Sequence, residues 1–244
     1  MLKLYRKSEL GFALACIAVY VLVFGNLRSL GDDSPWMALC LLAYAALLFV
    51  FVKKNGLAEE YGLAGWAKNS RQMLWFIPLW ILATGNLWGG IQPKYAGFGL
   101  VCAVVMFALV GFVEELIFRG FLFRAMLRGG RAATAVVVSS VTFGMGHIVN
   151  LLSGHGDTET LLQVVFAITM GFIFTMVYYK SGSLLPGILA HCLIDVFSVF
   201  SIRSGLGDWI FFALVPVTAV AYGLWLRRVE TPPVNRIGKA EKES

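Results

Sequence analysis

Long apolar runs separated by short polar or Gly/Pro-rich breaks dominate the chain. A helix of about 20 apolar residues crosses the hydrocarbon core of a bilayer. Runs of that kind fall near 9–27, 36–53, 73–90, 97–124, 133–153, 161–179, 183–203 and 208–226. The breaks lie at 31–35, 92–94, 128–131, 154–157 and 180–182, and the longest, 53–71, has room for a short interfacial helix. This pattern predicts an all-α, polytopic integral membrane helix bundle with about eight transmembrane helices. The expected organisation is a single transmembrane domain over 1–228, with its motif-bearing part at 97–203, followed by a polar cytoplasmic tail at 229–244 that reads as disordered. Lys3, Arg6 and Lys7 precede the first run as they would in a signal peptide, but no small-residue cleavage pattern follows it. A retained first helix is the expectation. No internal repeat is visible, nor the inverted pair of broken helices typical of transporters.

Composition points the same way. Hydrophobic residues make up 59% of the 244 and charged residues 14%, with a mean hydropathy of +0.77. Soluble domains carry about 25% charged residues. The net charge of +6 comes from basic residues at the ends of apolar runs, where they meet anionic headgroups and set topology. No nucleic-acid motif accompanies them, so the expected partners are the lipid bilayer and membrane-associated molecules, not nucleic acid. Lys and Arg crowd the N-terminus, the segments at 53–71, 124–131 and 180, and the C-terminus, whereas the opposite loops carry only Arg28, Lys94 and Arg203. Both termini should therefore be cytoplasmic, in the plasma (cytoplasmic) membrane. Cys16, Cys40, Cys102 and Cys192 lie inside apolar runs without CxxC spacing and read as reduced, buried small hydrophobes.

Ionisable residues inside a membrane are costly, and each is a functional candidate. Here they gather on three predicted helices: Glu114, Glu115 and Arg119 on the fourth, His147 on the fifth, His191 and Asp195 on the seventh. Glu115 and Arg119 are four residues apart on one helix face and can pair. Phe143 and His147 share that spacing, as do His191 and Asp195. Glu114 is rotated from Glu115 by about 100°, so Arg119 can neutralise Glu115 while Glu114 faces another neighbour. Two carboxylates in different environments suit two roles. At about 1.5 Å per residue, these groups come to a similar depth from the basic ends of their helices. Gly144 and Gly146 would let helices pack closely there. A carboxylate and a histidine can activate water as a general base, and a second histidine with a hydrogen-bonding neighbour can stabilise an oxyanion.

Glu114-Glu115-x-x-x-Arg119, Phe143-x-x-x-His147 and His191-x-x-x-Asp195 resemble the three motifs of the CPBP family, which comprises type II CAAX prenyl proteases and bacteriocin-processing or self-immunity proteins. The resemblance covers roughly 111–198. It implies an all-helical intramembrane endopeptidase acting on a membrane-associated peptide or protein substrate. Under it, Glu114 activates water with help from His147, His191 and Asp195 hold the oxyanion or orient the site, and Glu115, Arg119 and Phe143 support it. The cofactor is open between none and Zn²⁺. Glu114, His147 and His191 are of the usual zinc-ligand types, but no HExxH is present, and a metal-free glutamate–histidine mechanism is favoured.

Two rival readings remain from the residues: a non-catalytic immunity or scaffold protein that retains the cluster, and a proton-coupled transporter using Glu114, His147 and Asp195 as a relay. A catalytic site requires Glu114, His147 and His191 to converge within hydrogen-bond or one-water reach. A relay requires polar groups to continue across the membrane. Gly205-Leu-Gly207-Asp208 matches the GxGD string of intramembrane aspartyl proteases, but Asp208 sits at a span boundary with no partner aspartate expected at its depth. His155, in a polar loop, reads as solvated.

Overall fold

The computed structural model describes residues 1–148, 157–202 and 205–235. His155, Arg203 and 236–244 lie outside the described residues, as does the side chain of Asp208. Nine helices are present among the described residues. A short α1 (Leu2–Lys7) leads into α2 (Glu9–Leu30), α3 (Pro35–Lys54), α4 (Leu74–Leu87) and α5 (Gly97–Gly129). Next come α6 (Ala132–Ile148), α7 (Asp157–Ser181), α8 (Leu185–Ser198) and α9 (Gly205–Arg228). Each of the eight apolar runs carries one of α2 to α9. Five are long and apolar enough to cross a membrane: α2, α3, α5, the 160–181 part of α7 and the 209–228 part of α9. The protein is an integral membrane helix bundle.

Helix boundaries follow local chemistry. Ser8 caps α2 by accepting a hydrogen bond from the Gly11 N–H at 2.9 Å, which satisfies one of the free donors at a helix start. Pro35 and Pro186 open α3 and α8, where a missing N–H costs nothing. The shorter helices α4 and α8 depart from the expected spans. The backbone at Leu74, Trp75 and Phe76 is left-handed, so the regular part of α4 starts only at Ile77. α6 is described as far as Ile148, and the expected continuation to 153 lies outside the described residues. No helix forms between 55 and 73, where turns replace the interfacial helix for which the sequence left room.

The basic ends meet at one end of the bundle. Arg128, on the last turns of α5, pairs with both Glu9 and Glu60. Behind this clamp Tyr5, Phe12, Phe51, Tyr61 and Phe121 pack together with ring centroids 4.8–6.4 Å apart, edge to face except for the tilted Phe12–Phe51 pair. Residues 229–235 also dock here instead of leaving the surface. The Asn235 side chain donates to the Tyr178 and Tyr179 carbonyls at 3.0 and 2.9 Å, and Arg124 donates to Asn235 at 2.6 Å. At the opposite end, backbone bonds from Gln92 to Phe200 (2.8 Å) and from Lys94 to Val199 (2.9 Å) tie the 91–94 segment to the end of α8. Asn86 donates to the Ile194 carbonyl at 2.7 Å, bracing α8 one residue from Asp195.

Close backbone approach sets the spacing of the motif-bearing helices. A Cβ on Gly111 of α5 would lie 2.7 Å from the Cys192 nitrogen of α8, and the Cys192 thiol donates to the Ala108 carbonyl at 3.0 Å. Gly144 brings α6 against the backbone of α7 at Val164 and Ile168. Gly146, expected in the same role, meets Phe118 at 3.9 Å beyond its missing Cβ and no nearer neighbour among the described residues.

Gly56 and Gly62 both have left-handed φ, +70° and +66°. Open space surrounds Gly56, whereas the Gly62 backbone touches residues 182–184, and its carbonyl accepts from Leu184 N at 3.0 Å. Gly56→Ala should cost about 1–2 kcal/mol, the left-handed backbone penalty alone. Gly62→Ala should cost clearly more, because backbone must also shift. Thermal unfolding of the two variants in detergent compares them directly.

Candidate active site

The deepest part of the site is a charge cluster shared by α5 and α8. Glu115 and Arg119 are both 0% exposed, and Arg119 Nη1 lies 2.9 Å from Glu115 Oε1. The same oxygen accepts a hydrogen bond from His191 Nδ1 at 2.9 Å. The Arg119 guanidinium lies over the ring of Phe143 at 4.1 Å and over that of Phe174 at 5.3 Å, a cation–π arrangement that desolvation strengthens. Phe143 meets the rings of His147 and His191 edge-on, at 5.4 and 5.6 Å. Phe174 of α7 stacks on His191 at 5.1 Å. Phe143 thus joins Arg119, His147 and His191 in one packing unit, which explains why an aromatic side chain stands one turn before His147.

The local backbone helps to assemble this cluster. From Glu115 to Phe123 α5 widens into a π-helix, a form concentrated at functional sites. Ser139 of α6 donates to the Phe118 carbonyl within this segment at 3.0 Å. A Cβ on Gly187 of α8 would stand 3.1 Å from Glu115 Oε2, and one on Gly171 of α7 would stand 3.3 Å from Arg119 Nη2. Glycine at these positions leaves room for the two buried charges.

Glu114 faces the other way, as the rotation between neighbouring residues requires. Its Oε1 accepts a hydrogen bond from the Tyr20 hydroxyl of α2 at 2.7 Å. Its Oε2 lies 3.6 Å from His191 Nε2, which is also 3.5 Å from Asp195 Oδ2. His191 is therefore ringed by three carboxylates, one hydrogen-bonded to Nδ1 and two near Nε2. His147 bonds through Nδ1 to the Phe143 carbonyl at 3.3 Å. A donated Nδ1–H leaves the lone pair on Nε2.

Glu114, His147 and Tyr20 line one cleft with Arg28, Phe118, Phe143 and Gly146, walled further by apolar residues of α2, α3 and α5. Its volume is about 50 Å³. A water needs roughly 10–15 Å³ of such space, so a few waters fit beside the Glu114 carboxylate. The arrangement can hold water between a carboxylate and a histidine inside a membrane-embedded bundle.

All seven residues singled out in the sequence, Glu114, Glu115, Arg119, Phe143, His147, His191 and Asp195, fall within this one neighbourhood. Tyr20 and Phe174 were not singled out. Tyr20 offered a faint signal as a hydroxyl in the middle of the first span, whereas Phe174 is one of 19 phenylalanines and carried none. The zinc-ligand set fits poorly. His191 and His147 bond through Nδ1 to Glu115 and to the Phe143 carbonyl, which leaves each Nε2 for a further partner as in metal-ligating histidines, but no group of three His, Cys, Asp or Glu side chains among the described residues is arranged to hold a metal ion.

Fold and site together define a membrane-embedded helical protein with a buried Glu/His/Asp centre. Residues 96–197, about two-fifths of the chain, match the family model described as type II CAAX prenyl endopeptidase Rce1-like. The matched segment is similar to that protease family and holds all three motifs, in agreement with the CPBP resemblance. No curated protein and no solved structure matches.

The buried pair sets a stability test. Glu115→Ala leaves the Arg119 charge uncompensated and should cost about 3–5 kcal/mol. Pairing Glu115→Leu with Arg119→Met should recover most of that stability, since apolar replacement of a buried pair is often neutral. Thermal melts of purified variants in detergent measure both.

Proposed function

We propose that the protein is an intramembrane endopeptidase of CAAX-protease type, hydrolysing a peptide bond in a membrane-associated protein or peptide. The observation that carries this reading is the cleft shared by Glu114 and His147, with the His191 ring 3.6 Å from the Glu114 carboxylate. A water in the cleft gives its proton to Glu114 as it attacks the scissile carbonyl, and His147 Nε2 assists as second base. His191, held by Glu115 and Asp195, orients Glu114 and stabilises the oxyanion that forms. The proton on Glu114 then passes to the leaving amine, completing hydrolysis. No step is routed through a metal.

The surroundings favour hydrolysis over a proton relay. Toward the basic end the buried side chains of Leu116, Ile117, Phe121, Leu122 and Phe123 pack between the cluster and Arg124, which bonds to Val234 and Asn235 instead. The clustering of basic residues supports placing that end, with both termini, on the cytoplasmic side of the plasma membrane.

Proteolysis of membrane-anchored peptides in reconstituted liposomes tests the reading. Wild type should cleave, and cleavage should persist with a chelator present. Glu114→Gln and His147→Ala should each lower the rate by about 10²–10⁴-fold, the usual worth of a general base. Cleavage that survives both substitutions would contradict the assigned site.

A further inference from the structure

The Glu114 carboxylate is oriented by a residue that the three motifs do not contain. Tyr20 lies on α2, outside the matched segment 96–197. Its hydroxyl is 2.7 Å from Glu114 Oε1, nearer than the His191 ring at 3.6 Å from Oε2, and both side chains line the same cleft. The ring is fixed independently of the hydroxyl, packing on Phe24 with centroids 5.6 Å apart. Tyr20 also opens a π-helical segment, Tyr20–Phe24. Both helices thus widen next to this contact, one from the tyrosine onward and one directly after the glutamate. π-turns inside longer helices concentrate at functional sites, and here they flank the only hydroxyl–carboxylate bond in the described part of the cleft.

We infer that Tyr20 is a positioning residue for Glu114. The inference rests on the peptidase reading. By donating to Oε1, the phenol fixes the rotation of the carboxylate and leaves Oε2 as the oxygen available to a water on the His191 side. Without the hydroxyl the carboxylate can turn, and fewer of its orientations present a lone pair to the attacking water. Substrate contacts made by the rest of the cleft are unaffected, so the loss falls on turnover rather than on binding. This makes α2 part of the active centre, although its sequence carries no protease motif.

The test has two readouts on wild type, Tyr20→Phe, Glu114→Gln and the double variant. In liposomes, Tyr20→Phe should lower kcat about 10- to 100-fold, the worth of one hydrogen bond to a charged group, with KM within about twofold, as for an interaction realised in the transition state. In thermal melts, the effects of the two substitutions should be non-additive, because the phenol and the carboxylate are partners. An unchanged kcat in Tyr20→Phe, or additive melts, would overturn the inference. Failure of wild type to cleave would instead count against the peptidase reading, and the melts would then decide whether Tyr20 holds Glu114. Tyr20→Leu, which also removes the ring, separates loss of packing from loss of the hydroxyl.

Discussion

The Glu115–Arg119 pair is the constraint around which the rest of the site is arranged. Two charges at 0% exposure in a lipid-embedded bundle survive only if each is matched in place. Arg119 is matched by Glu115 on its own helix and by the faces of Phe143 and Phe174. Glu115 is matched in turn by the Nδ1–H of His191. The pairing therefore ties α5 to α6, α7 and α8 and holds the His191 ring in one orientation. Glu114, next in sequence but turned away, is left free of Arg119 and meets the cleft.

Small residues make that arrangement possible. Gly111 lets α5 and α8 touch through backbone, Gly144 does so for α6 and α7, and Gly171 and Gly187 make room for Arg119 and Glu115. In a bilayer, where apolar burial adds little between helices, such close packing and interhelical hydrogen bonds supply the association energy. The Ser139 bond to the Phe118 carbonyl and the Cys192 bond to Ala108 are examples. The rotation between neighbouring helical residues turns Glu114 away from Glu115, so the two adjacent carboxylates serve different neighbours, and the π segment of α5 begins directly after Glu114.

Much of this was legible in the sequence for a plain reason: charges are rare in apolar runs, so the ones present stand out. Glu115 with Arg119 and His191 with Asp195 could be paired by their spacing, and the eight apolar runs each became a helix. Other features depended on the third dimension. The widened turns at Glu115–Phe123 and Tyr20–Phe24 have no signature in hydrophobic periodicity when a helix is apolar on every face. The ends of α4 and α8 were overestimated because apolar residues continue past the last helical turn. Tyr20 and Phe174 became site residues only through contacts across 94 and 17 positions of chain. The docking of 229–235 was hidden because a polar composition says nothing about Asn235 finding two helix-end carbonyls.

The proposed peptidase reading requires the scissile bond to sit beside Glu114 in the cleft lined by α2, α3, α5 and α6. A membrane-anchored peptide carrying a photoreactive group at the position to be cleaved tests it most directly, using Glu114→Gln protein in liposomes and mapping the cross-links by mass spectrometry. The account predicts cross-links to the cleft walls: 20–28 of α2, 106–118 of α5 and 143–147 of α6. Cross-links confined to the outer faces of α7 and α9, with none on those three segments, would contradict it.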